Sequence, residues 1–425
     1  MNARSARPFD KSIILAIIPC VILAVLTIFN VTESLKMVLL TICLIPYLII
    51  KPDRGIIPLF FFVSFAVDIN VSYAGVPYIT VMQLIFVLKV LISKGLKRKT
   101  LGFIFAIILF QMYAILFFDL SLIKLITFIL NLLIMQCIGF GMSIDNQRLS
   151  TIYISFIAGL LAILVASVSR DPAFFAGSYY RFKGIWTDQN FLAMFCGIAC
   201  LFIYYWLKNN KRLYVPFIAL IGVFVYFGLR TYSMSFIFCT ALLVCLILID
   251  VLNSNLKIAY KILICCLFLA IGLLIFKNIY FQIVEARGRQ IYEEGVDWSH
   301  GRFTDTAIVL DKWQENLGSI LFGYGINNSV SQAGVAAHNT YIELLAQLGV
   351  LMTGIIAIGV TIFCIQNRVG IKTIVVKNTS YVFILLFYMF TLSMESTDLL
   401  YLLLGLATNI QLRDKSSVTY QVIDL

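Results

Sequence analysis

The stretch AAHNTYIELLAQLG, Ala336 to Gly349, sets His338 beside Asn339, Tyr341 and Glu343 in a chain that holds only two histidines among 425 residues. Imidazole is the side chain that exchanges a proton near neutral pH, so its place in so apolar a chain asks for a reason. A group of cations asks for another. Arg170, Arg181, Lys183, Arg230, Arg287, Arg289 and Arg302 lie in three gaps between apolar runs, on the face that the remaining charge pattern assigns to the outside. Guanidinium is planar, permanently charged and offers paired donors that match phosphate oxygens, so this grouping points to a bound anion such as a phospholipid-like headgroup. The plainer reading is a solvated loop surface, or pairing with Glu285, Glu293, Glu294, Asp297 and Asp305 in the same loop.

The elements that must hold these residues are spans. The chain is 61% hydrophobic and 12% charged. Runs of about 16 to 21 apolar residues recur from Ser12 to Ile410, each near the ~20 that cross a bilayer as helix. The expected fold is all-α: a polytopic transmembrane helical bundle of about twelve to fourteen spans with a long helical extracytoplasmic loop and no soluble domain. The first run, Ile13 to Phe29, follows Arg4, Arg7 and Lys11 as a signal peptide would. Val31 to Lys36 lacks a small-residue cleavage pattern, so a retained anchor is expected. The ten cysteines fall within the runs with no CxxC, which reads as packing.

Alternate gaps carry Lys51 and Arg54, Lys94 to Lys99, Arg148, Lys208 to Arg212, Lys257 and Lys261, Arg368 to Lys377, and Arg413 and Lys415. The positive-inside rule makes those gaps and both termini cytoplasmic. The net charge of +11 is then largely a matter of cytoplasmic loops, and nucleic acid is not indicated. Residues 1–169 form an N-terminal set of spans joined by short connectors. Residues 170–411 hold the chemistry, including extracytoplasmic loops 170–190 and 277–345, and 412–425 form a cytoplasmic tail.

A loop of about 69 residues, 277–345, is too long for a passive connector. Helical spacing predicts helices over Thr304 to Leu317 and from Asn339 into the next span, with the glycine turn FGYGINNSV, Phe322 to Val330, bringing them together. On the second helix Tyr341 and Ile342 share the face of His338, and Asn339 and Glu343 lie together. Asp188 and Asn190 either bind sugar hydroxyls or cap the helix that begins near Phe191. Trp186, Tyr179, Tyr180, Tyr324 and Trp298 suit a bilayer interface by default and sugar stacking otherwise. Glu395, an ionisable residue closing a span, is a functional hint, and His300 reads as structural. No Asp-x-Asp occurs and the two histidines stand about forty residues apart, so neither metal nor cofactor is expected.

Four motifs in order, RFKGIWTDQNFLA (Arg181 to Ala193), HGRFTDTAIVLDKWQ (His300 to Gln314), LFGYGINN (Leu321 to Asn328) and AHNTYIELLAQLG (Ala337 to Gly349), resemble the O-antigen ligase and polymerase superfamily, the Wzy and WaaL proteins of bacterial surface-polysaccharide assembly. The likeness covers roughly Arg181 to Ile365. One departure is LRTYSMS, Leu229 to Ser235, where Met234 stands in place of a family arginine and Arg230 lies one short turn earlier. What the resemblance implies is a GT-C-like membrane glycosyltransferase of the bacterial inner membrane, its site facing the exterior. It would move an oligosaccharide from undecaprenyl pyrophosphate to an acceptor glycan without a metal ion, in the company of other polysaccharide-assembly proteins. On that reading His338 is the base that takes the acceptor hydroxyl's proton. Arg181, Arg230, Arg302 and Arg289 neutralise the pyrophosphate, and Asp188, Asn190, Asn339, Tyr341 and Glu343 bind sugar or support the site. A polymerase of lipid-linked repeat units is the reading adopted, because nothing singles out a lipid A partner. The alternatives are a ligase of the same chemistry and, in another class, a flippase. A flippase would need charge through the middle of several spans and two related halves.

Overall fold

In hydrocarbon every backbone N–H and C=O must find its partner inside the segment, so runs as apolar as these have one open solution, the helix. The computed structural model describes residues 33–65, 72–73, 76–95, 98–170, 182–186, 188–210, 215–254, 257–263, 265–266, 270, 277, 302–394 and 397–421. The helices are α1 (Glu33–Ile49), α2 (Pro52–Phe62, continued by a 3-10 turn, Val63–Phe65), α3 (Tyr78–Lys94), α4 (Arg98–Phe117), α5 (Leu122–Gly141) and α6 (Asn146–Arg170). There follow α7 (Gln189–Asn210), α8 (Val215–Arg230), α9 (Met234–Leu252), α10 (Arg302–Gln314), α11 (Leu317–Phe322) and α12 (Ser329–Ala333). The last four are α13 (Thr340–Asn367), α14 (Ile371–Val376), α15 (Tyr381–Met389) and α16 (Asp398–Gln421). A two-residue antiparallel ribbon, β1 (Ser72–Tyr73) with β2 (Val76–Pro77), precedes α3.

Among the described residues six helices are long and apolar enough to cross a membrane: Thr100–Phe117, Leu122–Gly141, Asn146–Ser169, Gln189–Asn210, Met234–Leu252 and Thr340–Asn367. Val38–Ile49 and Val215–Arg230 are shorter apolar helices. The chain is therefore a multi-pass, all-helical membrane protein. The expected first anchor, Ile13 to Phe29, and most of the long loop's first part lie outside the described residues.

Without a hydrophobic drive between helices in lipid, close backbone approach and polar contacts do the joining. Helices α5 and α16 run parallel, as their contacts show: Phe128 meets Tyr401, Met135 meets Gly405, and Asn409 donates to Ile138 O at 2.8 Å and Met142 O at 2.9 Å. A Cβ on Gly405 would stand 2.9 Å from Met135 O, so any larger residue there would push the two helices apart. Gly159 of α6 plays the same part against α2, where a Cβ would come within 2.2 Å of Phe61 O. Helix α7 is the centre of the bundle, with 78% of its most apolar window buried, whereas α4 (22%) and α13 (17%) lie at the periphery.

The two ends of the bundle differ in charge. At one end Asp53 meets Lys94 at 3.4 Å and Arg148 at 3.8 Å, Lys208 meets Asp250 at 2.9 Å, and Arg413 donates to Asn146 Oδ1 at 2.6 Å. Helix α5 starts at the opposite end, where Lys124 reaches Asn328 and Ser331 at 3.3 Å. There α10 to α12 form a cap over the ends of α4 and α13. The cap has its own small core of Val309, Trp313, Tyr324, Ala337 and Ala346.

Candidate functional site

The cap is built around a break in α13. Gly349 has φ +71°, outside the helical region, so the carbonyls of Ala346 and Gln347 lose the helical partners they would have found at Val350 and Leu351. The glycine turn takes their place: Tyr324 N donates to Ala346 O at 3.0 Å and Gly325 N to Gln347 O at 3.1 Å. Gly323 (φ +77°) and Gly349 pass so close that a Cβ on either would fall within 2.3 Å of a carbonyl oxygen of the other strand of chain. Gln111, in the middle of the apolar helix α4, closes the arrangement by accepting from Ile326 N at 3.0 Å and donating to Gln347 O at 3.4 Å.

Below the rim lies a buried polar floor. Glu343 has no exposed surface. Its Oε1 accepts from Ala337 N at 2.6 Å and Ser393 Oγ at 3.3 Å, and its Oε2 accepts from Gln347 Nε2 at 2.8 Å and from Ser329 Oγ. Gln347 also donates to Ser329 Oγ at 2.8 Å and accepts from Asn327 N at 2.8 Å. Thr340, equally buried, donates to Leu392 O at 2.6 Å and accepts from Met394 N at 2.8 Å, which ties the segment after α15 to the start of α13. Asn339 is the N-cap of α13, its Oδ1 accepting from Tyr341 N at 3.0 Å and Ile342 N at 3.3 Å.

His338 stands on the rim between these two anchors. The residue before it gives its N–H to Glu343 and the residue after it caps the helix, and the chain satisfies both only by turning through φ +52° at His338. A left-handed conformation costs a non-glycine residue about 1–2 kcal/mol, and such strain persists where the surroundings over-determine it. The imidazole is 39% exposed, with Nε2 at 4.0 Å from Asp305 Oδ2. Thr306, next to Asp305 on α10, donates to Ala337 O at 2.9 Å and so fixes α10 against the rim. Arg302 opens α10, three residues before Asp305, and one turn of helix puts both on the same face. His338, Asp305 and Arg302 thus share one rim. Among the described residues Arg302 has no ion-pair or hydrogen-bond partner.

Arg230 belongs to a second polar group at the same end of the bundle, in the last turn of α8. Its carbonyl accepts from Phe182 N at 3.0 Å, and Phe182 is the residue next to Arg181 in the chain. Ser233 donates to Asn190 Oδ1 at 2.6 Å, and Asp188 Oδ1 accepts from Asn190 N at 2.7 Å. Asp188 and Asn190 are therefore occupied in capping α7 and in joining it to the turn before α9. Met234 begins α9 and is 43% exposed. Arg181 and Arg289, with His300 and Glu395, lie outside the described residues. Tyr341 turns away from the rim: its hydroxyl donates to Leu386 O at 3.1 Å and its ring packs on Phe390 at 4.5 Å. Glu343, lacking any exposed surface, supports the rim from beneath.

Asp305 was named only as a pairing partner for the loop arginines, and Thr306, Ser329, Thr340 and Gln347 lie inside the quoted stretches without having been given a role. Gln111 carried a signal, a lone amide within an apolar span, which in a membrane implies a partner. Gln347, four residues after Glu343 on a helix, carried a weaker one.

The fold and the cap define a multi-pass helical membrane protein with a structured polar site at one end of its bundle. Comparison with family models, with curated proteins and with solved structures gives no match in any of the three.

Proposed function

We propose that the protein is a GT-C-like membrane glycosyltransferase. In this reading it polymerises undecaprenyl-pyrophosphate-linked oligosaccharide repeat units of a bacterial surface polysaccharide, working from the cytoplasmic membrane with its cap facing the exterior. The observation that carries the reading is the rim: an exposed imidazole held by a strained backbone, beside a carboxylate and one helical turn from an arginine. The gathering of basic side chains at the opposite end of the bundle supports the orientation.

Transfer to an acceptor sugar forms a bond from the acceptor oxygen to the anomeric carbon while the bond from that carbon to the phosphate oxygen breaks. His338 takes the acceptor's proton. Asp305 lies on the Nε2 side of the ring, so Nδ1 is the nitrogen that faces the hydroxyl, and the carboxylate steadies the imidazolium that results. Arg302 meets the charge that develops on the departing pyrophosphate, and Arg230, at the same end of the bundle, is the second cation in this account. Attack from the face opposite the leaving group inverts the transferred sugar's configuration.

A deletion strain tests the reading. Surface glycans shortened to a single repeat are the expected result. Free polymer that is complete but unligated would move the assignment to a ligase of the same chemistry, and a normal surface glycan would sink the transferase reading.

A further inference from the structure

Helices α15 and α16 stop short of the cap. Helix α15 leaves the basic end of the bundle, where Asn378 meets Asn209 at 3.2 Å, and ends after nine residues, about 13.5 Å. Residues 390–394 follow without helix, and α16 begins at Asp398 and runs back beside α5. The break lies about half-way through the bundle. Helix α5 crosses from the cap end, and its Asn131 is nine residues on from Leu122 and ten short of Gly141, about 14 and 15 Å. Helix α3 finishes at the same end as α5, with Lys94 donating to Gly141 O and Val90 against Gly141, so Gln83, seven residues before Val90, comes near the depth of Asn131. There the carboxylate of Asp398 faces both amides, Gln83 and Asn131. Gln83 has no exposed surface and Asn131 has 1%. Nε2 and Oε1 of Gln83 and Oδ1 of Asn131 nevertheless complete no hydrogen bond. Asp398 keeps part of its surface open to a water-sized species, and among the described residues no Lys, Arg or His pairs with it.

We propose that Asp398, Gln83 and Asn131 hold a single alkali cation at mid-depth in the bundle. A carboxylate so placed is costly without a positive charge beside it, and buried charges are found paired or holding a metal ion. Asp398 also opens α16, where the helix dipole favours the ionised form, the form that binds a cation. Oxygen ligands suit hard cations. One carboxylate cancels one positive charge, so a monovalent ion leaves no net charge in the bundle, whereas a divalent ion would leave an excess. A proton would also neutralise Asp398, but a carboxyl group donates one hydrogen bond, which the amide oxygens of Gln83 and Asn131 would have to share, while an ion takes up several oxygens at once. A half-turn of the last side-chain torsion exchanges oxygen for nitrogen, so either amide can bring its oxygen to the point where it faces Asp398. The break between α15 and α16 fits the same role, because non-helical backbone at membrane depth occurs where protein covers it or it lines a cavity, and its carbonyls then serve as ligands to small cations. The site is separate from the rim of His338 and does not rest on the glycosyltransferase reading.

The test uses the full purified chain in neutral detergent, with thermal unfolding followed at constant ionic strength in the chloride of sodium, potassium or N-methylglucamine, the last an organic cation too bulky for coordination by side-chain oxygens. Sodium or potassium is expected to raise the unfolding temperature by about 4 °C over N-methylglucamine when present well above its Kd. The shift should vanish in Asp398→Asn, which keeps the shape and removes the charge, and fall at least by half in Gln83→Met, which removes the amide oxygen. Each variant's unfolding temperature in N-methylglucamine is the check on folding, and Gln83→Met carries the test if Asp398→Asn does not fold. Equilibrium binding of the radioactive ion, at about one per chain and lost in Asp398→Asn, reads the same site without unfolding. Shifts that are equal in the unchanged chain, Asp398→Asn and Gln83→Met would overturn the proposal, as would the absence of a shift from either alkali ion, which would leave Asp398 to a proton.

Discussion

Glu343 and His338 come from one short stretch of chain and are treated in opposite ways. Glu343 has no exposed surface and accepts from Ala337, Ser393, Ser329 and Gln347. His338 is 39% exposed, and among the described residues its polar neighbour is Asp305 at 4.0 Å, beyond a hydrogen bond. A buried carboxylate with every partner in place is a rigid tie, because each donor it leaves unpaired would be stranded away from water. An exposed imidazole with a loose partner contributes little to the fold and remains available to a ligand. The floor therefore makes the rim's geometry, and in the proposed reading the rim carries the chemistry. The backbone records the division, since the strain at His338 is imposed by the bonds of Ala337 and Asn339 on either side.

The comparison is broken most severely at the floor. Glu343→Ala strands the Ala337 N–H, Ser329 and Gln347, each at about 1–3 kcal/mol. The expected loss is at least ~4 kcal/mol, seen as a chain that fails to accumulate or whose cap is cut readily by protease. Unchanged expression and protease resistance would show that the network is not a tie. Next comes His338→Ala, for which transfer should fall by roughly 10²- to 10⁴-fold while stability moves by no more than about 1 kcal/mol in either direction, since the substitution keeps the left-handed backbone. A large loss of stability in that variant would make His338 part of the floor. His338→Gln sharpens the point: an amide can hold the acceptor hydroxyl but cannot take its proton, so near-normal turnover would demote the histidine to a positioning residue.

Smaller effects are expected around the rim. Arg302→Lys keeps the charge and loses the paired donors, which should lower transfer by about tenfold with donor binding weakened in step. Equal rates in the two proteins would remove Arg302 from the phosphate. Asp305→Asn should have the least effect, about threefold or less in rate, because the carboxylate acts on His338 only across 4.0 Å and with its own surface partly exposed. A loss as large as that of His338→Ala would mean that Asp305 closes onto the ring when ligand binds.

Much of the helical architecture was legible in the chain, because length and apolarity decide what can cross a bilayer and leave the backbone one way to satisfy itself. The helix over Arg302–Gln314 and the one from Thr340 onward could be read within a few residues, as could the glycine turn between them, since Gly323 and Gly325 sit at positive φ. The cap of α13 at Asn339 is likewise a local signal. Membership of the floor was not legible. Gln111 and Gln347 are 236 residues apart and meet only because α4 packs on α13, and Thr340 meets Leu392 across 52 residues for the same kind of reason. Periodicity fixes which face a side chain takes on its own helix and says nothing of which helix lies opposite.

The chain alone determined that this is a membrane protein, where its polar residues gather, and that His338 precedes a helix. Only the tertiary structure decided that Glu343 is buried, that Asp188 and Asn190 serve as caps and ties at α7, that Asp305 and Arg302 share a rim with His338, and that Asp398 faces Gln83 and Asn131 inside the bundle. The physical reason is common to all of these. Burial into the bilayer depends on a segment's own composition, whereas the pairing of polar groups depends on which helices touch, and that is settled by close contacts such as those at Gly159 and Gly405, where the absence of a single side chain lets one backbone reach another.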